Sequence, residues 1–151
     1  MKTLSRRSAV GAVALLTGIP RTGWANETRT FTVYRSSSCQ CCEAWISHMT
    51  KAGYHAQTVL MDDLTDVRRR YKIPADLAAC HTATIGGYVI EGHVPAADVT
   101  TLLRQRPKAL GLSVPGMPLG SPGMEPANGE VEGYFTLLLL GEGRRRIFAR
   151  H

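Results

Sequence analysis

Three of the four cysteines stand together in Cys39-Gln40-Cys41-Cys42, at the point where a β-prone run gives way to a helical stripe. This crowding constrains the chain more than any other feature. Thiolates repel one another and are costly to hold together unless a proton, a sulfur–sulfur bond or a soft cation neutralises them. The cluster therefore either cycles between thiol and disulfide or holds a soft metal ion. The remaining cysteine, Cys80, is followed directly by His81.

The pattern around the cluster defines an α/β chain. Residues 31–35 (Phe-Thr-Val-Tyr-Arg) alternate as a strand, and Ser36-Ser37-Ser38 supplies turn and cap chemistry. A helix follows, with Cys42, Trp45, Ile46 and Met49 as its apolar stripe and Gly53 as its stop. Residues 55–61 read as a second strand. Asp62-Asp63 caps a helix whose buried face is Leu64, Val67 and Tyr71, and Pro74 interrupts the pattern. Thr82 to Ile85 and Tyr88 to Glu91 form a hairpin across Gly86-Gly87, a pair that accepts positive φ freely. Pro95 opens a helix that buries Val99, Leu102 and Leu103 and ends before Pro107.

The order β-α-β-α-β-β-α is a thioredoxin-like layout with the cysteines after the first strand; another α/β arrangement of the same elements is the alternative. Residues 111–133 carry ten Gly and Pro residues and are expected to form a long loop, in which Pro-Gly-Met occurs twice, at 115–117 and 122–124. Residues 134–140 then make an added buried strand. Arg144-Arg145-Arg146 reads as a solvated tail.

The first 25 residues stand apart from this domain, which spans 26–151. Lys2, Arg6 and Arg7 precede a short apolar run, Ala9 to Ile19, and Gly23-Trp24-Ala25 places small residues where a signal peptidase reads. The segment is expected to be a secretory signal peptide cleaved after Ala25, and the run is too short to span a bilayer. Ser5-Arg6-Arg7 partly matches a twin-arginine signal, so both the Sec and the twin-arginine routes stay open. Export implies a periplasmic location, where disulfides persist. Losing this segment takes the formal charge from +6 to about +2. That removes the main support for nucleic-acid binding, and no aromatic interleaving accompanies the basic run.

Cys39 and Cys42 alone form a Cys-x-x-Cys pair, which suits a redox dithiol as well as a metal site. Cys41 favours metal, since a dithiol redox site needs two sulfurs whereas a soft cation gains from each further thiolate. Two structural disulfides, in any of three pairings, are the plain alternative. In a thioredoxin-like layout, the loop before the third strand lies against the cysteine-bearing helix start. Cys80 and His81 occupy that loop, pointing toward Cys39 and Cys42. Met117 and Met124 offer soft thioethers from the Pro/Gly loop, or else fill gaps where the loop packs. Met49 and Met61 are expected in the core. His48 is near enough to approach the site but is read, with His55 and His93, as a surface histidine. Thiolate donors exclude Mg²⁺ and Ca²⁺ and leave Zn²⁺ or Cu(I). Sulfurs this crowded can bridge metals, which favours Cu(I), one ion or more. No phosphate loop, Gly-x-Ser-x-Gly or His-Glu-x-x-His motif is present.

Four runs, in this order, resemble a bacterial family of metal-binding domains of unknown function that includes the CopG-type copper-resistance proteins. They are Val33 to Cys42, Ala79-Cys80-His81-Thr82, Gly87 to Pro95, and the paired Val114-Pro-Gly-Met117-Pro118 and Gly120-Ser-Pro-Gly-Met124-Glu125. The resemblance implies a thioredoxin-like fold, a periplasmic location and copper at the cysteine cluster, with a role in interconverting Cu(I) and Cu(II). It makes Cys39, Cys41, Cys42 and Cys80 the ligands, joined by His81, Met117 and Met124, and other periplasmic copper-resistance proteins the partners. Two rival readings remain: a thiol–disulfide oxidoreductase using Cys39 and Cys42, and a copper chaperone without redox turnover.

Overall fold

The computed structural model describes residues 29–151, so the expected leader and its cleavage point at Ala25 lie outside the described residues. Strand β1 (Thr30–Arg35) buries Phe31, Val33 and Arg35 in strict alternation. Helix α1 (Gln40–Lys51) buries Cys42, Trp45 and Met49, one face of a helix laid on the sheet. Its crossover makes β2 (His55–Leu60) run parallel to β1. Helix α2 (Thr65–Arg70) starts where the Asp63 carboxylate accepts the Thr65 N–H. It buries no residue of its own: Leu64 just before it is buried, and Val67 and Tyr71 are only half-buried.

A short 3-10 turn (Ala75–Leu77) leads to the hairpin of β3 (His81–Ile85) and β4 (Tyr88–Gly92). Helix α3 (Ala96–Gln105) returns the chain to β5 (Gly111–Val114), parallel to β4. Strands β6 (Phe135–Gly141) and β7 (Arg144–Arg150) complete one seven-stranded sheet in the order β2-β1-β3-β4-β5-β6-β7. The fold is thus mixed α/β and dominated by its sheet.

Two expectations are corrected here. The stretch 111–133 is not loop from its start, because Gly111–Val114 is a fully buried strand between β4 and β6. The basic run at 144–146 is not a tail but the beginning of the edge strand β7, with Arg145 paired to Asp76.

The main core lies under α1 and α3, around Phe31, Val33, Trp45, Ile90, Val99 and Leu102. A smaller one, Ile73, Leu77, Val89 and Leu139, packs on the other face, since the neighbours Val89 and Ile90 point to opposite sides of β4. Met49 belongs to the main core, whereas Met61 is only half-buried. No helix among the described residues is long and apolar enough to cross a membrane.

Candidate metal centre

The end of β1 turns sharply through Ser36–Ser38, with the Cys39 amide donating to the Ser36 carbonyl, and α1 begins at once. Cys39 is the N-cap residue and makes no side-chain cap, so its sulfur is not committed to the helix backbone. Cys39 and Cys42 form a disulfide, with Cα atoms 5.4 Å apart. The Sγ of Cys41 lies 3.5 Å from that of Cys39 and 3.6 Å from that of Cys80. The Cys42 sulfur is 3.7 Å from the Cys80 carbonyl oxygen. One atom from each of the four cysteines falls within 4.8 Å of all the others. The sequence reading has four thiolates here. In this structure two of the sulfurs are oxidised, so a four-thiolate donor set requires reduction of the Cys39–Cys42 bond first.

A second donor group shares Cys80. It consists of Cys80, His81 and His93, again within 4.8 Å. His81 is fully buried, its ring tilted against Trp45 at 4.3 Å between centroids, with Nδ1 3.4 Å from the Cys80 sulfur. Burial, and then the neighbouring His93, push its pKa down to about 3, so the ring is neutral. His93 is a correction, because it is fully buried rather than on the surface. Its Nδ1 lies 2.8 Å from the Pro122 carbonyl, which can only accept, so Nδ1 carries the proton. The lone pair on Nε2 then faces the Cys80 sulfur at 3.0 Å. Burial lowers the His93 pKa as well. Nothing in the local sequence marks His93 out. The positive φ of Gly92 (73°) at the strand end turns the chain so that His93 faces Cys80, and the Trp45 indole N–H bonded to the Val94 carbonyl holds it there.

His48 does not join either group; its Nε2 accepts the Ala96 N–H, tying α1 to the start of α3. His55 is exposed at the start of β2. The two loop methionines part company. The turn bearing Met124 presses on α1: a Cβ on Gly123 would lie 2.8 Å from both the Cys41 carbonyl oxygen and the Trp45 nitrogen, so only glycine fits. Met117 is 51 % exposed and makes no described contact with the sulfurs.

Cys80 is held from behind. The buried Glu91 carboxylate accepts from the Thr82 hydroxyl (2.6 Å), the Ala79 amide (2.8 Å) and Arg68 Nε (3.0 Å). Arg68 also donates to the Ala79 carbonyl, so the residue before Cys80 is fixed at both its N–H and its C=O. Burial, together with Cys41 alongside, pushes the Cys80 thiol up to about 12, leaving it protonated at neutral pH unless a cation displaces the proton. Sulfur and imidazole donors of this kind suit soft, thiophilic metals and not oxygen-seeking ones.

The site and fold define a sheet-based α/β protein with a cysteine cluster able to hold a metal ion. The profile of a family described as "Protein of unknown function, DUF411" matches residues 77–124, which include Cys80, His81, Glu91, His93 and both loop methionines. Two solved structures of the copper resistance protein CopG, Form 1 and Form 2, are similar along most of their length. Form 1 is 37 % identical with a TM-score of 0.77, covering 83 % of this chain and 98 % of that one. Form 2 is also 37 % identical, with a TM-score of 0.76, covering 81 % and 97 %. A search of curated proteins finds no match. The chain belongs to the CopG family of copper resistance proteins.

Proposed function

We propose that this is an exported, periplasmic copper(I)-binding protein whose cargo is held by Cys39, Cys41, Cys42 and Cys80, with the imidazoles of His81 and His93 beside them. The carrying observation is the 3.6 Å contact between Cys41 and Cys80, sulfurs from stretches 39 residues apart brought to one point. Soft donors that converge on a rigid scaffold favour cuprous ion, and the paired groups sharing Cys80 leave room in the reading for more than one ion. Met124 is the better placed of the loop methionines. The order β2-β1-β3-β4, with Cys39-x-x-Cys42 opening the helix after β1, supports a thioredoxin-like scaffold. Copper bound at such a site would be able to change oxidation state there.

Anaerobic Cu(I) titration of the reduced mature protein against a competing chelator tests this. Cys41→Ser and Cys80→Ser are each expected to weaken binding at least ~10-fold, about 1.4 kcal/mol. Parental affinity in both would refute it. One observation favours a second reading, a thiol–disulfide oxidoreductase: Cys39 and Cys42 are joined. That reading requires dithiol turnover with no metal present, which an insulin-reduction assay in the presence of a cuprous chelator would register.

A further inference from the structure

We propose that Cys41 and Cys80 are a second redox pair, and that Cys41 passes the disulfide between the 39–42 and 41–80 positions, so that the four sulfurs together yield four electrons. The inference shares the sulfur cluster of the copper-binding reading but does not depend on copper being retained.

Cys41 is the one cysteine whose sulfur touches both an existing disulfide and the other free thiol, at 3.5 Å from Cys39 and 3.6 Å from Cys80. A sulfur–sulfur bond measures about 2.05 Å, so each gap closes by about 1.5 Å, the scale of a side-chain rotation. The direction of exchange is fixed by chain geometry. Consecutive Cα atoms lie about 3.8 Å apart, below the roughly 4.4 Å that a disulfide normally needs, so Cys41 does not bond to Cys42. Its attack must fall on Cys39, and Cys42 must be the leaving group.

The steps balance without an outside oxidant. The Cys41 thiolate bonds to Cys39 Sγ, the Cys39–Cys42 bond breaks, and its electron pair leaves on Cys42, which takes up the proton given off by Cys41. Cys80 then bonds to Cys41 Sγ as the Cys39–Cys41 bond breaks; the electron pair leaves on Cys39, and the Cys80 proton passes to that departing sulfur in the same step. One disulfide has moved and the Cys39/Cys42 dithiol is restored. That dithiol can be oxidised again. The oxidant we name is cupric ion: two Cu(II) accept one electron each, one sulfur–sulfur bond forms, two Cu(I) result and two protons go to solvent. Oxidation of all four thiols therefore reduces four cupric ions.

The test uses the mature wild-type protein, fully reduced with a trialkylphosphine that is then removed, and mixed anaerobically with excess cupric salt and a chromogenic cuprous chelator. The expected result is four cuprous ions per chain, no remaining thiol, a monomer, and a Cys41–Cys80 link in the non-reducing peptide map. A sample given two cupric ions per chain, acid-quenched and alkylated, is expected to carry both the 39–42 and the 41–80 link. Cys80→Ser should halve the yield to two. Wild-type protein that stops at two cuprous ions, forms its second disulfide between chains, or keeps its single disulfide wholly at 39–42 overturns the relay. Cuprous titration of the same reduced batch separates the two ideas. Tight Cu(I) binding with a two-electron yield sinks the relay alone, and a four-electron yield without Cu(I) binding sinks the copper reading alone.

Discussion

Glu91 is the residue on which the placement of Cys80 rests, and its replacement by alanine or glutamine gives sharply different expectations. Glu91→Ala strands the fully buried Thr82 hydroxyl and the Ala79 amide, each costing about 1–3 kcal/mol when unpaired. It also leaves Arg68 without its counter-charge. Losing one partner of a buried ion pair costs about 3–5 kcal/mol, and the Arg68 side chain, 21 % exposed, recovers part of this from water. The contributions overlap, so the expected loss is about 4 kcal/mol out of the roughly 5–15 kcal/mol that a domain possesses.

Glu91→Gln is a different perturbation. Burial raises the Glu91 carboxyl above its ordinary 4.5, outweighing its three donors. A raised folded pKa means that the fold favours the neutral acid, and that stability is lost as pH climbs from 4.5 through the folded value. Glutamine removes the same counter-charge from Arg68, but its carbonyl still accepts from Arg68 and the Ala79 amide and it sheds the cost of burying a carboxylate, so Glu91→Gln should stay within about 1 kcal/mol of the parent at pH 7. Urea unfolding of the reduced proteins, followed by Trp fluorescence, measures both. If the two variants lose equal stability, or alanine loses under about 1 kcal/mol, the account of this buried carboxylate is wrong.

Three further outcomes can be checked the same way. His81 titrates near 6.5 when unfolded but at about 3 when folded, so its contribution is intact above 6.5 and falls away as pH drops; about 2 kcal/mol should be gone at pH 5, and a parent and His81→Gln with the same acid slope would contradict this. Gly123→Ala places a methyl against the Cys41 carbonyl at a φ of 88°, so we expect a loss of about 1–3 kcal/mol and faster proteolysis within residues 115–134; unchanged cleavage would show that the loop does not dock there. Thr136→Val removes the 2.6 Å bond to Asp98, whose Oδ2 also meets His151 at 2.9 Å; a loss of about 1–2 kcal/mol with faster amide exchange along β7 is expected, and unaltered exchange would refute the link.

What the sequence disclosed followed from burial. Helix α1 was legible because Cys42, Trp45 and Met49 repeat at helical spacing, and the β3–β4 hairpin because Gly86-Gly87 punctuates two apolar runs. Strand β7 was not legible, since an edge strand needs only backbone partners; its arginines face solvent, and its pairing with β6 leaves no mark on composition. Strand β5 escaped for the opposite reason. Four buried residues beginning with a glycine resemble the Gly/Pro stretch that follows them, and only contact with β4 and β6 makes them a strand. At the site, crowding betrayed the cysteines, whereas His93 depends on where Gly92 turns the backbone and Glu91 on its pairing with Thr82 across the hairpin, tertiary facts that no spacing encodes.

The shape of the cluster explains how one scaffold can serve thiol and metal chemistry alike. The Cys39 and Cys42 Cα atoms, 5.4 Å apart, already lie at the separation a disulfide needs, because three residues make nearly one turn of helix. Opening that bond asks nothing of the backbone; it frees two sulfurs by side-chain rotation. Behind them the Cys80 group is held by Glu91, Trp45 and the Pro122 carbonyl, through bonds that involve neither Cys39 nor Cys42. With the bond closed, Cys80 keeps His81 and His93 as near donors and Cys41 as a neighbouring thiol; with it open, Cys39 and Cys42 complete a four-thiol group that shares Cys80. The number of free thiols the cluster can offer is therefore set by the oxidation state of one sulfur pair rather than by a movement of the fold.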